Sequence, residues 1–182
     1  MKNAYIFFAD GFEDIEGLMV VDLFRRAGIH ITTVSITDSP EVVTSHQVPL
    51  RCDTTFAAEN FDDADILILP GGMPGTTHLK ECEPLRRLLL EHAQKGTRIA
   101  AICAAPTVLS DLGLLKDRSV TSYPSCEPQI EAARYLQERV VVDGNITTSR
   151  GLGTAIDFAL SLIGQLLDAE TAEKISTSVV NR

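Results

Sequence analysis

Apolar residues fall into two patterns along this chain. Short unbroken runs at Tyr5-Ile-Phe-Phe8 (within Ala4 to Ala9), Ile66-Leu-Ile-Leu69 and Ile99 to Ile102 read as buried strands. Between them apolar positions recur every three to four residues, as at Ile15, Leu18, Met19 and Leu23, and predict helices. The first helix opens at Glu13-Asp14-Ile15-Glu16, where acidic side chains suit the positive end of the helix dipole, and Gly28 ends it as an αL cap. Ile29 to Ile36 is a second strand, so the opening is a βαβ unit and implies a parallel sheet.

The segment Val42 to Leu50, broken by Ser45-His46-Gln47 and Pro49, predicts a small hairpin or edge excursion. The Ile66 strand runs into Pro70-Gly-Gly-Met-Pro-Gly75, a loop dense in breakers, and a helix follows from Glu83 or Pro84 to Gln94. The Ile99 strand stops at Cys103, after which small residues and Pro106 open a helix through Val108, Leu109 and Leu112. Val120 to Tyr123 predicts a short strand closed by Pro124, with a helical stretch around Glu131 to Leu136. Val140–Val142 and Ile146–Thr148 form a hairpin-like pair about an Asp143-Gly144 turn. A long helix over Thr154–Leu167 and a short one beyond Asp168-Ala169 close the chain. Alternating strands and helices, with no repeat and no linker, predict one doubly wound α/β domain over 1–182, its mostly parallel sheet covered by helices on both faces.

A length of 182 residues with 45% apolar side chains fits a single full-sized core. A formal charge of −9 and a pI near 4.8 argue against nucleic acid or an anionic membrane surface as partner. No apolar run reaches the length of a bilayer span, and Met1-Lys2-Asn3 leads into a strand without the long apolar region of a signal peptide. Cys52, Cys82, Cys103 and Cys126 are scattered, with no zinc-type spacing, so reduced thiols, a cytoplasmic location and no bound metal are expected. Asn145-Ile-Thr147 matches a glycosylation acceptor by chance in that setting.

The chemistry gathers where strands end. A side chain at the turn from a central strand into a helix stands in a nucleophile elbow, exposed above the sheet with the helix's positive end favouring thiolate. Cys103 has that position, although a free cysteine is equally at home as a small buried hydrophobe. In a doubly wound sheet the carboxyl ends of the strands share one rim, which brings together Gly11 to Glu16, Gly71-Gly72, Cys103 and Tyr123-Pro124. A carboxylate, a Gly-Gly backbone loop and a cysteine on separate elements supply an acid/base, oxyanion donors and a nucleophile. Read alone, Glu16 is also a solvated first-turn carboxylate, and Gly71-Gly72 a tight turn of the kind an anion-binding loop needs. Ser149-Arg150-Gly151 reads as a helix start packed under the site, since Gly151-Leu-Gly153 lacks a dinucleotide fingerprint.

Four stretches in this order resemble the ThiJ/PfpI superfamily on its DJ-one side, the branch that includes the Parkinson-disease-associated deglycase. They are Ala9-Asp-Gly-Phe-Glu-Asp-Ile-Glu16, Leu69-Pro-Gly-Gly72, Ala100-Ala-Ile-Cys-Ala-Ala-Pro106 and Thr148-Ser-Arg-Gly-Leu-Gly-Thr154, and they cover essentially the whole chain. The resemblance implies a flavodoxin-like (class I glutamine-amidotransferase-like) fold, usually a homodimer, and cysteine chemistry without a cofactor. By the same resemblance Cys103 is the reactive cysteine, and Glu16 its protonated acidic partner. The backbone N–H groups of Gly72 and Ala104 are then the anion pocket, beside Gly71. Many members carry a histidine where this chain has Tyr123. Tyr123 therefore either orients Glu16, lines the pocket or simply packs. His46 reaches the rim from the hairpin or stays on the solvated surface, while His30, His78 and His92 are poor substitutes. Cys126 is either a resolving cysteine or a bystander.

Two functions follow as expectations. One is a glyoxalase- or deglycase-like hydrolase acting on methylglyoxal-type dicarbonyls or their adducts, with Cys103 as nucleophile and Glu16 as general acid/base. The other is a redox sensor of oxidative stress that acts through oxidation of Cys103. Without a Cys–His pair, peptidase attack on an unactivated amide is not expected.

Overall fold

Alternation inside each apolar run decides the layers. The computed structural model describes residues 2–181; Met1 and Arg182, the outermost residues of the domain expected over 1–182, lie outside them. Strand β1 (Asn3–Phe8) leads to α1 (Asp14–Arg26), β2 (His30–Ser35), the short strands β3 (Glu41–Val43), β4 (Pro49–Arg51) and β5 (Thr54–Thr55), and β6 (Ile66–Leu69). Two helices, α2 (Gly75–Glu81) and α3 (Glu83–Lys95), precede β7 (Arg98–Ile102) and α4 (Pro106–Asp111). Then come β8 (Ser119–Val120), β9 (Arg134–Tyr135), β10 (Val140–Asp143), β11 (Ile146–Ser149), α5 (Ala155–Leu166) and α6 (Ala169–Ser178).

Seven strands form one sheet in the order β10-β11-β7-β6-β1-β2-β5, and every neighbouring pair is parallel except β10 with β11. Ala4, Ile6 and Phe8 of β1 join Ile66, Ile68, Ala100 and Ile102 in a core under α1 and α5. The alternate residues Tyr5, Phe7, Leu67, Leu69, Ile99 and Ala101 face the other way, onto α2, α3 and α4. A period of two within a fully apolar run is what lets one strand feed two cores. The predicted mixed α/β architecture, a mostly parallel sheet with helices on both faces, is the one observed. Among the described residues no helix is long and apolar enough to cross a membrane.

Local signals account for the element ends. The Glu13 carboxylate caps α1 by accepting from Glu16 N–H at 2.8 Å, and Gly28 takes φ +75 just beyond the helix. The excursion after β2 is the antiparallel hairpin β3–β4. In the β10–β11 hairpin Asp143 pairs with Ile146, so the turn is centred on Gly144-Asn145 rather than Asp143-Gly144, with Gly144 at φ +60.

Two predicted elements differ. Helix α2 replaces part of the expected loop; Pro74 and Gly75 read as breakers, and Leu79 alone among its residues marks an apolar stripe. The helical stretch expected around Glu131 to Leu136 is instead β9, paired in parallel with β8. A 3-10 helix over Pro124–Gln129, interrupted by Pro128, uses up the residues a helix would need to start, and the Tyr135 hydroxyl lies 3.1 Å from Ser122 Oγ across the strand pair. The strand expected over Val120–Tyr123 is correspondingly short, ending at Val120.

Candidate active site

The chain leaves β1 toward β2 on one side and returns through β6 on the other, so the sheet's switch point lies between β1 and β6. Crevices form at such a point, outside the carboxyl ends of the strands. The loop after β1 and the Gly71-Gly72 loop after β6 meet there, where Glu13 N–H donates to Gly71 C=O at 2.9 Å. The next strand, β7, delivers Cys103. Its φ of +65 is a left-handed conformation rare for a residue with a side chain, and it costs of order ~1–3 kcal/mol. Neighbours clamp the turn from both sides: Cys103 N–H donates to Ser149 C=O at 3.0 Å, and Tyr123 N–H donates to Cys103 C=O at 2.8 Å.

Glu16 projects from the first turn of α1 into the sheet edge and is 1% exposed. Its Oε2 accepts from Gly71 N–H at 3.1 Å, and it is hydrogen-bonded to the Leu152 backbone and the Cys103 side chain. Burial raises the carboxyl from its ordinary 4.5 to about 7, helped by the charge of Glu13 and opposed by those hydrogen bonds. Gly71 makes the contact possible. A Cβ there would lie 2.5 Å from both Cys103 Cβ and Glu16 Oε2. Gly72 sits at φ +94, and a side chain on it would run into the backbone of Phe12 and Glu13.

The Cys103 thiol is pushed up, first by burial and then by the adjacent Glu16 charge, while N–H groups of Ala104 and Gly72 pull it back. The sequence reading expected the following helix to favour thiolate. Helix α4 spans only Pro106–Asp111 and burial outweighs it, so the two backbone N–H groups are what favour a negative sulfur or oxygen here. Glu16 and Cys103 titrate as a coupled pair in which the thiol keeps its proton while the carboxyl gains and loses one near neutrality.

A cavity of about 400 Å³ opens over Cys103 and is lined by Gly72, Met73, Ala104, Tyr123 and Cys126 among others. Tyr123 is 49% exposed. A Cβ built on Gly151 would lie 3.5 Å from one Tyr123 ring carbon and 3.7 Å from Glu16 Oε1, so the glycine fills the space between the ring and the carboxyl. Cys126 is buried on the cavity wall, and all four cysteines are free. His46 is not on that wall: it is exposed, with Nδ1 2.7 Å from Asp14 Oδ2, and this pairing raises its pKa. His92, a poor substitute by sequence, is buried away from that wall with Nδ1 3.1 Å from Thr97 Oγ1. Thr76 and Lys80 also line the cavity and carry no sequence signal, because they lie on the unpredicted α2.

Glu13, Asp14 and His46 place ligand-type atoms within 4.8 Å of one another. Each is already engaged: Glu13 caps α1, while Asp14 accepts from the Thr44 hydroxyl at 2.6 Å and pairs with His46. Nothing in the site chemistry calls on this cluster.

A family model described as the DJ-1/PfpI family matches residues 2–165. The chain belongs to the DJ-1/PfpI family. Protein dj-1beta of Drosophila melanogaster is 38% identical over 181 residues, covering 98% of this chain and 97% of that one. The solved structure of Toxoplasma gondii DJ-1, oxidized, superposes with a TM-score of 0.95 at 34% identity, over 99% of this chain and 98% of that one. A further DJ-1/PfpI relative, the Caenorhabditis elegans protein named glutathione-independent glyoxalase DJR-1.2, is 31% identical over 164 residues, covering 90% of this chain and 87% of that one.

Proposed function

We propose that this chain is a cysteine-dependent, cofactor-free glyoxalase- or deglycase-like hydrolase acting on methylglyoxal-type dicarbonyls or their adducts. One observation carries the reading: a buried carboxyl raised to about 7, hydrogen-bonded to Cys103 beneath the N–H groups of Gly72 and Ala104. A group poised near neutrality both gives and takes protons at working pH. The name of the C. elegans relative supports the same chemistry.

The steps balance without an outside oxidant. The Glu16 carboxylate takes the Cys103 S–H proton as the sulfur adds to the aldehyde carbon, and the carbonyl electron pair moves to oxygen, which then receives that proton from Glu16 and forms a hemithioacetal. The oxyanion on the way to it is held by the Gly72 and Ala104 N–H groups. The Glu16 carboxylate then removes the former aldehyde C–H proton to give an enediol and returns it to the neighbouring carbon, while the hemithioacetal hydroxyl proton passes to the neighbouring oxygen, which leaves a 2-hydroxy thioester on sulfur. Water hydrolyses the thioester to a 2-hydroxy acid and frees the thiol. The net change adds one water to one dicarbonyl. Tyr123 offers no imidazole to protonate an amine leaving group, so an already electrophilic carbonyl suits this site and a peptide bond does not.

A second reading shares the pocket: a redox sensor whose output is oxidation of Cys103. The absent imidazole and the oxidized state named for the T. gondii relative favour it. We assign the chain to the cytoplasm on its unpaired thiols. We further propose a homodimer through the outer face of α1, where Ile15 is 42% and Leu18 40% exposed.

Methylglyoxal consumption by the purified protein tests the first reading, with Cys103→Ala as the blank. Glu16→Gln keeps a hydrogen-bond donor but no exchangeable acid, and it should lower turnover by roughly 10²–10⁴-fold. Sulfinate formation needs only the donor, so Glu16→Gln should preserve it while Glu16→Leu should not. Turnover unaffected by Glu16→Gln would remove Glu16 from the chemistry.

A further inference from the structure

The cavity over Cys103 is larger than methylglyoxal requires, and its far wall is polar. Helix α2 presents Thr76 and Lys80 to it, four residues apart and therefore on one helix face. Thr76 is 3% exposed, and its Oγ1 is the one buried side-chain oxygen or nitrogen among the described residues with no hydrogen-bond partner. Such atoms are uncommon in folded proteins and need a reason. Among the described residues Lys80 is the only charged side chain lining the cavity. It does so in a chain of formal charge −9, so the local sign opposes the global one.

The Lys80 ammonium lies 3.1 Å from Asp111 Oδ2, and its charge also reaches the Cys126 thiol on the same cavity lining. An ammonium has three donors, and Asp111 is its one carboxylate partner among the described residues. The same lining includes Met73, Ala104 and Tyr123, surfaces suited to a short carbon chain. The cavity lining thus combines a reactive cysteine, apolar surface and one cation, with the unpartnered Thr76 hydroxyl buried beneath it.

We propose that Lys80 and Thr76 receive the carboxylate of a substrate whose aldehyde carbon sits on Cys103, so that the substrate class is an α-oxoaldehyde, or its adduct, bearing a carboxylate a few carbons from the reacting carbonyl. This rests on the cysteine chemistry proposed above and adds what that chemistry acts on. Lys80 is a specificity residue here and takes no part in bond making. The Thr76 hydroxyl, reoriented by rotation about χ1, supplies the second donor.

Two probes differ only at the far end. 4,5-Dioxopentanoate and 5-methyl-2-oxohexanal share the α-oxoaldehyde head and the chain, and one ends in a carboxylate where the other has an isopropyl group of the same shape. The ratio of their kcat/KM values should favour the carboxylate by roughly tenfold to hundredfold, mostly through KM. Lys80→Met should bring the ratio close to one, Lys80→Arg should keep most of it, and Asp111→Asn should raise it by freeing the ammonium.

A second measurement needs no turnover. 4-Oxopentanoate should slow alkylation of Cys103 by iodoacetamide, whereas its neutral counterpart 5-methyl-2-hexanone should not, and Lys80→Met should abolish the protection. The ketone pair on the unaltered chain still decides the matter should Lys80→Met fail to fold. If methylglyoxal is consumed but the ratio is near one and neither ketone protects, the carboxylate site is wrong and the cysteine chemistry stands. If 4-oxopentanoate protects through Lys80 while no dicarbonyl is consumed, the site stands and the proposed turnover falls. Equal protection by both ketones overturns the carboxylate site.

Discussion

Removing the Glu16 carboxyl should stabilise this protein at mildly alkaline pH. The carboxyl ordinarily titrates at 4.5, and in the fold burial raises it to about 7. A carboxyl whose folded pKa is raised binds its proton more tightly in the native state. Its contribution is therefore most favourable below the unfolded value and is lost as pH rises from there to the folded one. The difference between 4.5 and about 7 corresponds to roughly 3 kcal/mol, all of it spent by pH 8. Glu16 is 1% exposed, so solvent screening takes little from that figure. Glu16→Gln keeps the shape and hydrogen-bonding capacity but does not titrate. Urea unfolding of both proteins at pH 5, 6, 7 and 8, at one fixed protein concentration, should show them close at pH 5. By pH 8 the variant should be the more stable by roughly 3 kcal/mol, which for a chain of this size is about 6–12 °C in Tm. His46 and the other titrating groups are common to both proteins and cancel in the difference. A difference that stays flat across the range, or one that favours the unaltered protein at pH 8, would refute the assignment of a proton shared between Glu16 and Cys103.

Gly71→Ala should be worse for activity than for folding. Its Cβ would lie 2.5 Å from Cys103 Cβ and Glu16 Oε2, so it forces the pair apart; about 1–3 kcal/mol of stability should be lost in a thermal melt, with roughly 10²-fold in methylglyoxal turnover. After mild peroxide, peptide mass spectrometry should find oxygen on Cys103 before the other cysteines, because it lines an open cavity beside two N–H groups. Cys52, by contrast, is buried with its thiol raised to about 12, and first oxidation there would count against the elbow. Light scattering should give a dimer at micromolar concentration and a monomer for Leu18→Glu, which places a charge on the exposed apolar face of α1; a monomer without the substitution removes the dimer.

Fold and site were legible to different depths. Runs such as Ile66–Leu69 announce themselves because both faces of the sheet are covered, and a strand buried on both sides admits no polar residue. Cys103 was legible for the related reason that its strand stops abruptly at a small-residue turn. Helix α2 was not, since a seven-residue helix between Pro74 and Cys82 has almost no period to show. With α2 went Thr76 and Lys80, the far wall of the cavity. The β8–β9 region failed differently. Strands of two residues each hold together through a pairing that lies fifteen positions away in sequence, Ser119 with Arg134, and no local pattern encodes a partner at that distance. Residue types at strand ends told what chemistry was present, but not how deeply Glu16 is buried, and that depth sets its pKa.

Depth also explains why the two functional readings share one pocket. Among the described residues the Glu16 carboxyl is the group in contact with the Cys103 thiol whose proton moves near neutrality. A hemithioacetal oxygen, a sulfinate oxygen and the thiol itself all draw on that proton. The clamp from Ser149 and Tyr123 holds the sulfur where any of them must form. What separates the readings is whether the proton has to come back. Turnover requires Glu16 to surrender it to one carbon or oxygen and recover it within each cycle, whereas a stable sulfinate needs it donated once and left in place. A site built only for the second task would gain from a carboxyl that keeps its proton throughout, raised well above neutrality. Burial raises the Glu16 carboxyl and the charge of Glu13 adds to it, while hydrogen bonds with Cys103, Gly71 and Leu152 hold it back, so that it stands at about 7, where giving and recovering a proton are both accessible.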